Sequence, residues 1–552
     1  MAKYGERALS TAKVVLFLAV LALLLYQPWH VGDKELYWQE GQFAAEAVEL
    51  RGFFSGVTAH GELIGTGFPL FPLLAGWLNE AGMPMESALR LLSLLPVLGV
   101  AVWVFALGRS VGGSGCGGAA AAVWLTSNIV MEKCLDGYPE MAMIFFVCGG
   151  QFIWFTLGQG YNHWNWAWAA AGAFAALAFL SGGFPALGYF AFPFIFMRRP
   201  LSVKSKLNRP GAAVGAALIF LTVACWLHPY LAAGEDGRTG FFDFSTLSRY
   251  YSHLLTFPVD AVWRLLPWSL LAWPVFCAAY RPLDPAPIFS RFLRTLVIAG
   301  FFMLWFSPFT DVRDIALLAP ALSILIAVNY SLLMRRHGHV YRKLFRPVPY
   351  LAMLCGMLTV GFFLMDETMF SGVSEYVTVP WGKLDFRLER EAMVYGIASG
   401  TLMFLIGFYL LCRRNSVPMW VAGALMMLTP MLFYWSVARP FSAQKSFRRD
   451  FAAELRRDLG SRNPALIYKL NIAGLYGECF YLGIPVKSIG DLSEIPAGED
   501  EVYLLATGFP QLPERGWVKI SDKKLMDASD DEKPLQLYCG KLVAPREKTD
   551  EQ

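Results

Sequence analysis

A polytopic α-helical membrane protein with a small α/β domain at its C-terminal end is the fold class this sequence predicts. Three observations carry that reading. Apolar residues arrive in unbroken blocks such as "VVLFLAVLALLLY" at 14–26. Only 16% of the 552 residues are charged while 56% are hydrophobic, against about 25% charged in an average soluble domain. Lys and Arg also gather in alternate loops. A bilayer core needs about 20 mostly apolar helical residues per crossing. Lipid admits only helices and closed barrels, because each backbone polar group must be paired internally. Unbroken apolar runs lack the alternation of a barrel strand.

Taken in order, thirteen spans are predicted, near 13–30, 87–108, 115–131, 138–158, 164–180, 183–197, 211–231, 265–280, 295–308, 314–333, 348–365, 392–411 and 417–437. The first follows "MAKYGERALSTAK" and ends in "YQPWH" with no small-x-small cleavage site, so it reads as an uncleaved span rather than a signal peptide. With the N-terminus cytoplasmic, the inner loops hold nineteen Lys or Arg against two acids, Glu6 and Asp284. The outer loops are rich in acids. That asymmetry follows the positive-inside rule and places the N-terminus inside and residues 440–552 outside the cytoplasmic membrane of a bacterium. Residues 1–439 then form the membrane domain.

The segment 440–552 changes character. Phe447, Phe451, Leu455 and Leu459 recur at helical spacing, and "PALIYKL", "PVKSI", "EVYLLAT" and "WVKI" follow as short strand-like runs around a helix-like "NIAGLYGECFYLG". Strand and helix alternate, as in a small α/β domain. Two outer loops, 31–86 and 232–264, are longer than a turn needs. Their Trp, Tyr and Phe content suits amphipathic helices lying along the membrane interface. Nine scattered cysteines with no CxxC pair exclude a cysteine zinc site and a disulfide scaffold.

The first outer loop opens with "VGDKELYWQEGQFAAEAVELR" at 31–51. Treated as a helix, it has an apolar arc of Leu36, Tyr37, Phe43, Ala44, Ala47, Val48 and Leu50. Glu46 and Glu49 fall opposite and read as solvated charges. Asp33 is either an N-cap or a chemical group. Glu40 lies within the apolar arc and reads as the partner of an Arg or as catalytic. Asp136, in "CLDGYPE", is either a helix-end carboxylate at a positive dipole or a second chemical group. Glu62, Arg249, His253 and Arg313 share the outer side. Carboxylates beside cations at a lipid surface suit transfer of a group from an anionic lipid carrier. A carboxylate takes the acceptor's proton, and arginines hold the departing phosphate through bidentate bonds.

These residues resemble those of the GT-C glycosyltransferases, in the branch of aminoarabinose transferases and protein O-mannosyltransferases. The branch places an Asp and, four residues on, a Tyr after its first span, matched by Asp33 and Tyr37, with Glu35 as a shifted second acid. Its Asp at the start of the fourth span is matched by Asp136. "LPWSLL" at 266–271 matches its Pro-Trp, and Arg313 stands seven positions before Pro320, as the branch's basic residue does. "LYGECFYLGIPV" resembles the opening of its soluble domain. Two lysines of the branch are absent: the first loop reads "GELIGTGFPLFP", and Gly182 in "LSGGFPAL" stands where a Lys is expected.

The resemblance implies a GT-C fold of about thirteen spans and a glycosyltransferase moving a monosaccharide from a polyprenyl-phosphate donor to a lipid, protein or glycan acceptor, with inversion. Asp33 and Asp136 are the expected catalytic residues, and Tyr37, Glu35, Glu62, Arg249, His253 and Arg313 the expected substrate-binding ones. A lone loop His such as His253 reads equally as an interfacial residue. No metal-ligand spacing appears, and neither metal nor other cofactor is expected; nor is a nucleic-acid partner. The alternatives are a lipid or solute transporter, which would show repeats and mid-span charges, and an inactive scaffold that binds a partner.

Overall fold

The computed structural model describes every residue except 1–10, 38, 51, 65, 66, 199, 233–246, 366–389, 414, 415, 441–446, 461, 463, 471, 473, 497–500, 508–514, 524–534 and 543–552. In chain order the helices are α1 (Thr11–Tyr26), α2 (Gln39–Glu49), α3 (Leu70–Glu80), α4 (Met85–Leu125), α5 (Asn128–Lys133), α6 (Glu140–Phe155), α7 (Trp164–Ile195), α8 (Pro210–Ala232), α9 (Leu247–Arg264), α10 (Ser269–Phe276), α11 (Pro287–Phe306), α12 (Ala319–Leu344), α13 (Val348–Leu364), α14 (Arg390–Cys412), α15 (Met419–Phe433), α16 (Phe447–Leu459) and α17 (Tyr476–Leu482). The strands are β1 (Thr58–Ala59), β2 (Glu62–Leu63), β3 (Ile467–Leu470), β4 (Val486–Ile489), β5 (Glu501–Ala506), β6 (Arg515–Lys523) and β7 (Leu535–Leu542).

Two compact units make up the chain. Unit 1 holds Met1–Lys34, Arg90–Ala224 and Asp243–Gln444, and unit 2 holds Glu35–Leu89, Cys225–Phe242 and Lys445–Gln552. The second unit is thus more than the C-terminal segment, since the first long loop belongs to it.

Among the described residues, nine segments are long and apolar enough to cross a membrane, and this is a multi-pass membrane protein. The expected thirteen spans differ from these nine for local reasons. The 41-residue α4 is two helices joined at Gly112 and Gly113, where a φ of +75° at Gly113 is open to glycine and strained for other residues. Gly183, with φ +68°, breaks the 32-residue α7 in the same way. A single 53-residue segment carries both α12 and α13. The span expected at 265–280 contains only the eight-residue α10.

Unit 1 is held by apolar packing with polar handles tied off at backbone carbonyls. Tyr26 Oη donates to the Leu125 carbonyl at 2.6 Å, Trp124 Nε1 to Val97 at 2.8 Å and Trp435 Nε1 to Leu25 at 2.8 Å. Buried aromatics of this kind contribute large apolar area and fix orientation through one bond. Helices α13 and α14 approach so closely that a Cβ on Gly356 would lie 2.6 Å from the Gly400 carbonyl oxygen, the small-residue contact typical of membrane helices. On α9, Tyr251, Leu255 and Val259 are each more than 70% exposed. They sit four residues apart, the face an interfacial helix lays into lipid.

Unit 2 carries a five-stranded sheet in the order β4-β3-β5-β7-β6. β3 pairs in parallel with β4 and β5, while β5, β7 and β6 pair antiparallel. The expected strands and the helix α17 are present; β7, in a stretch left unassigned at the sequence level, adds the strand that joins β5 to β6. Both sheet faces are covered. Ile467, Tyr503 and Leu537 pack with Leu455 and Leu459 of α16 on one, and Tyr468, Leu504 and Tyr538 pack on the other. This is the period-two alternation of a strand buried on both sides.

The acidic stretch departs from its sequence reading. The helix starts at Gln39, so Asp33 does not cap it. The carbonyls of His30, Val31 and Lys34 are instead taken by the guanidiniums of Arg90 and Arg439, which competes with helical pairing there. Glu40 is buried and accepts from the Tyr37 backbone N–H at 2.9 Å. Glu46, expected in solvent, is 1% exposed; burial pushes its carboxyl up to about 8. α2 packs against α17 as well as α3, and with Gly41 against the Gly477 backbone it has little polar face left to solvate.

Candidate active site

Where α1 ends, a short 3₁₀ turn at Pro28–His30 turns the chain so that Asp33 stands at the edge of unit 1. Its side chain is 47% exposed, and Oδ2 lies 2.8 Å from His30 Nδ1. His30 in turn packs edge-on against Tyr395 and near Trp435. The backbone beneath Asp33 is fixed from two sides. Arg90 Nη1 donates to the Val31 and Lys34 carbonyls at 2.8 and 2.7 Å. Arg439 Nη2 donates to those of His30 and Val31 at 2.7 and 3.0 Å, with its guanidinium 4.4 Å from the Trp435 ring centroid. Charge-assisted bonds to carbonyls are among the stronger ones, so Asp33 projects from a rigid base toward solvent.

A second cluster forms around Arg313. A turn capped reciprocally by Asp311 and Asp314 presents Arg313, whose guanidinium carbon lies 3.6 Å above the Tyr138 ring. Arg313 Nη1 is 2.9 Å from Asp311 and 3.7 Å from Glu140, while its buried Nε has no partner among the described residues. Asp136, two residues before Tyr138, lies 3.8 Å from Lys133 and acts on Arg313 electrostatically. Tyr189 donates to Asp314 at 3.2 Å. Beside this, Arg264 and Lys133 both pair with Glu132. Burial works to raise the Glu132 carboxyl, yet the two cations hold it below its ordinary value. The Pro-Trp motif supports this corner: Trp268 is buried, and its Nε1 donates to Thr126 Oγ1 at 3.1 Å.

One helix ties the clusters together. Arg90 of α4 grips the Asp33 backbone, and Ser93, one turn on and on the same face, donates to the Tyr138 carbonyl at 2.8 Å. Neighbouring turns of α4 thus hold the segment that carries Asp33 and the one that carries Asp136 and Tyr138, and Arg313 stacks on Tyr138. The arrangement offers an exposed carboxylate beside an imidazole, and a guanidinium stacked on a tyrosine ring. Those are the parts needed to accept a proton and to hold an oxyanion.

The other expected site residues stand elsewhere. Glu35, Tyr37 and Glu62 belong to unit 2. Glu35 is buried and accepts the backbone N–H groups of Arg448 and Arg449 at 3.0 and 3.3 Å, neutralising the start of α16; burial nonetheless raises its carboxyl. Tyr37 lies beneath the Arg448 guanidinium at 5.2 Å. Glu62 is an exposed residue of the β1–β2 hairpin. His253 Nε2 donates to the Leu304 carbonyl at 3.1 Å and is occupied there. Arg249 opens α9, and its side chain lies outside the described residues.

Sequence reasoning missed His30, Arg90, Glu140 and Arg439. Arg90 and Arg439 did carry a signal, each being a lone cation next to an apolar run. At Gly182, where the lysine is absent, a Cβ would lie 2.4 Å from Met143 Sδ, so a side chain there requires Met143 to move.

No family model and no curated protein matches the sequence. Solved structures do. ArnT from Cupriavidus metallidurans bound to undecaprenyl phosphate superimposes with a TM-score of 0.68 at 15% identity, over 96% of this chain and 98% of that one. The apo form of the same protein gives 0.67 at 16% identity, with the same coverage. An oligosaccharyltransferase of Archaeoglobus fulgidus in the apo form gives 0.46 at 11% identity, over 89% of this chain and 66% of that one. The chain thus has the fold of ArnT.

Proposed function

We propose that this protein is a glycosyltransferase that takes a monosaccharide from a polyprenyl-phosphate carrier and passes it to an acceptor on the extracytoplasmic membrane face. The observation that supports the reading is an ArnT-type fold in which neighbouring turns of α4 hold the backbone segments of Asp33 and Asp136, with Arg313 stacked over Tyr138. ArnT itself was crystallised with undecaprenyl phosphate, which supports a carrier of that class here.

The reaction is a single inverting displacement. Asp33 takes the proton from the acceptor hydroxyl. The acceptor oxygen then bonds to the anomeric carbon from the face opposite the phosphate. The carbon–oxygen bond to the phosphate breaks, and its electron pair leaves on the phosphate oxygen. His30 orients Asp33 through the contact between its Nδ1 and Asp33 Oδ2. Arg313 receives the phosphate, its guanidinium held in place by Tyr138, Asp311 and Glu140, and Asp136 stands beside it as the second carboxylate of the site. Glu35 and Glu40 serve the architecture of unit 2 rather than the chemistry.

The test is incubation of the purified protein in lipid with polyprenyl-phosphate sugars and candidate lipid, peptide and glycan acceptors. Transfer by wild type and its loss in Asp33→Asn support the assignment. Transfer by Asp33→Asn at the wild-type rate sinks the role of Asp33. Vesicle-dependent movement of lipid or solute without any transfer sinks the enzyme altogether.

A further inference from the structure

Unit 2 contains a cavity that neither cluster of unit 1 uses. It has a volume of about 530 Å³ and is lined by Arg449, Arg456 and Arg457 together with Ala452, Ala453 and Gly460, with Tyr481 as a wall. The lining follows from the helix. At about 100° per residue these α16 positions and the adjoining Gly460 fall within an arc of roughly 140°. The acids of the same helix, Asp450, Glu454 and Asp458, fall together outside that arc. Its apolar residues Phe451, Leu455 and Leu459 occupy a third arc and pack into the sheet. Charge is therefore sorted around α16, not merely mixed.

Two of the alanines and the terminal glycine stand between the arginines, and this is what leaves room between the guanidiniums. Arg449 is fixed by Glu86 and lies 5.1 Å over the Tyr481 ring. Arg456 donates to the Leu482 carbonyl. Arg457 is exposed and has no protein partner among the described residues. The nearby carboxylates are engaged: Glu86 by Arg449 and Tyr481, and Asp458 by Ser521 at 2.6 Å. The cavity thus presents net positive charge with planar donors free for oxygen ligands.

We propose that this cavity binds a phosphate ester, carried either by a phospholipid headgroup or by a soluble glycerol or sugar phosphate. Guanidinium forks match phosphate oxygens in pairs, and three of them around one space suit an anion with several oxygens better than a single carboxylate. The volume lies in the range of small-ligand pockets and exceeds what a bare phosphate fills. An organic substituent on the phosphate occupies the part floored by Ala452 and Ala453.

The full-length protein in a non-ionic detergent is titrated with glycerol 1-phosphate, dihexanoyl-phosphatidic acid, glycerol and succinate. Binding is read by calorimetry and by hydrogen-exchange protection of 447–460. The expected result is saturable binding of one or both phosphate probes, none of glycerol, and succinate at least about tenfold weaker. Tight binding of both phosphate probes points to a soluble or shared source, and binding of the phosphatidic acid alone to the lipid. Arg456→Gln/Arg457→Gln weakens binding by about tenfold or more. Ala453→Trp fills the cavity without altering charge and abolishes binding, which keeps the test informative if the arginine variant fails to fold. Unchanged affinity in a folded Ala453→Trp protein, no binding of either phosphate probe, or succinate binding as well as phosphate overturns the proposal.

Discussion

Asp33 and Glu35 are separated by one residue, yet they belong to different units and lead opposite lives. Asp33 keeps a half-exposed carboxylate with one imidazole partner, while its backbone is gripped by two arginines. Glu35 has lost its exposure and spends its oxygens on the first N–H groups of α16. The comparison teaches that charge in this loop does not mark chemistry by itself. A reactive carboxylate needs a rigid frame that leaves its oxygens free, whereas a structural one is defined by the donors that consume them.

The strongest way to break that contrast is to exchange the two phenotypes. Asp33→Asn is predicted to cut transfer by about a thousandfold, with the melting temperature unchanged, as a rate assay beside a thermal scan would show. Equal loss of stability would mean that Asp33 is also a structural residue. Glu35→Ala should do the reverse. Removing a buried acceptor leaves the α16 N–H groups unpaired and costs about 2–3 kcal/mol, read as a lower denaturation midpoint with kcat retained in the protein that remains folded.

Arg313→Lys sharpens the role of the other cluster. It keeps the charge but loses the planar fork and the stacking on Tyr138, and a KM for the lipid-linked donor raised by about tenfold or more is expected. An unchanged KM would separate Arg313 from the phosphate. The smallest expected effect comes from Glu46. Its folded carboxyl titrates near 8 against an ordinary 4.5, so between those values the unfolded chain gives up a proton that the folded one keeps. Stability then falls as pH rises through that window. Glu46→Gln should flatten this slope and raise stability at pH 8, read from denaturation midpoints at pH 5 and 8; an unaltered pH profile would show that the carboxyl is ionised in the fold.

Much of the fold was legible because lipid imposes a simple code of apolar blocks and sorted Lys and Arg. The breaks at Gly113 and Gly183 were read as separate spans, since the sequence displays the glycines but not whether the helices on either side stay in register. Asp33, Asp136 and Arg313 could be singled out as candidates because each sits at a span end in a recognisable local pattern. The fates of Glu35, Glu40 and Glu46 were not, because their surroundings come from segments remote in sequence. An amphipathic arc shows which side of α2 is apolar, but not that α17 arrives to cover much of the rest. His30 was visible only as the end of "YQPWH" and acquires meaning from the turn that brings it back to Asp33.

That distant partnership also constrains the order in which the protein can be made. Leu36 donates its backbone N–H to Tyr481 Oη across 445 positions, and Gly41 packs on Gly477. During synthesis the α2 surface therefore has to wait, uncovered, until nearly the whole polypeptide has emerged. A ribosome stalled after α15 would release a chain with its helical unit finished and an orphaned amphipathic loop, the kind of exposed apolar surface that invites aggregation. Covering of the α2 surface thus acts as a timer set by translation, and its last tick is the arrival of α17.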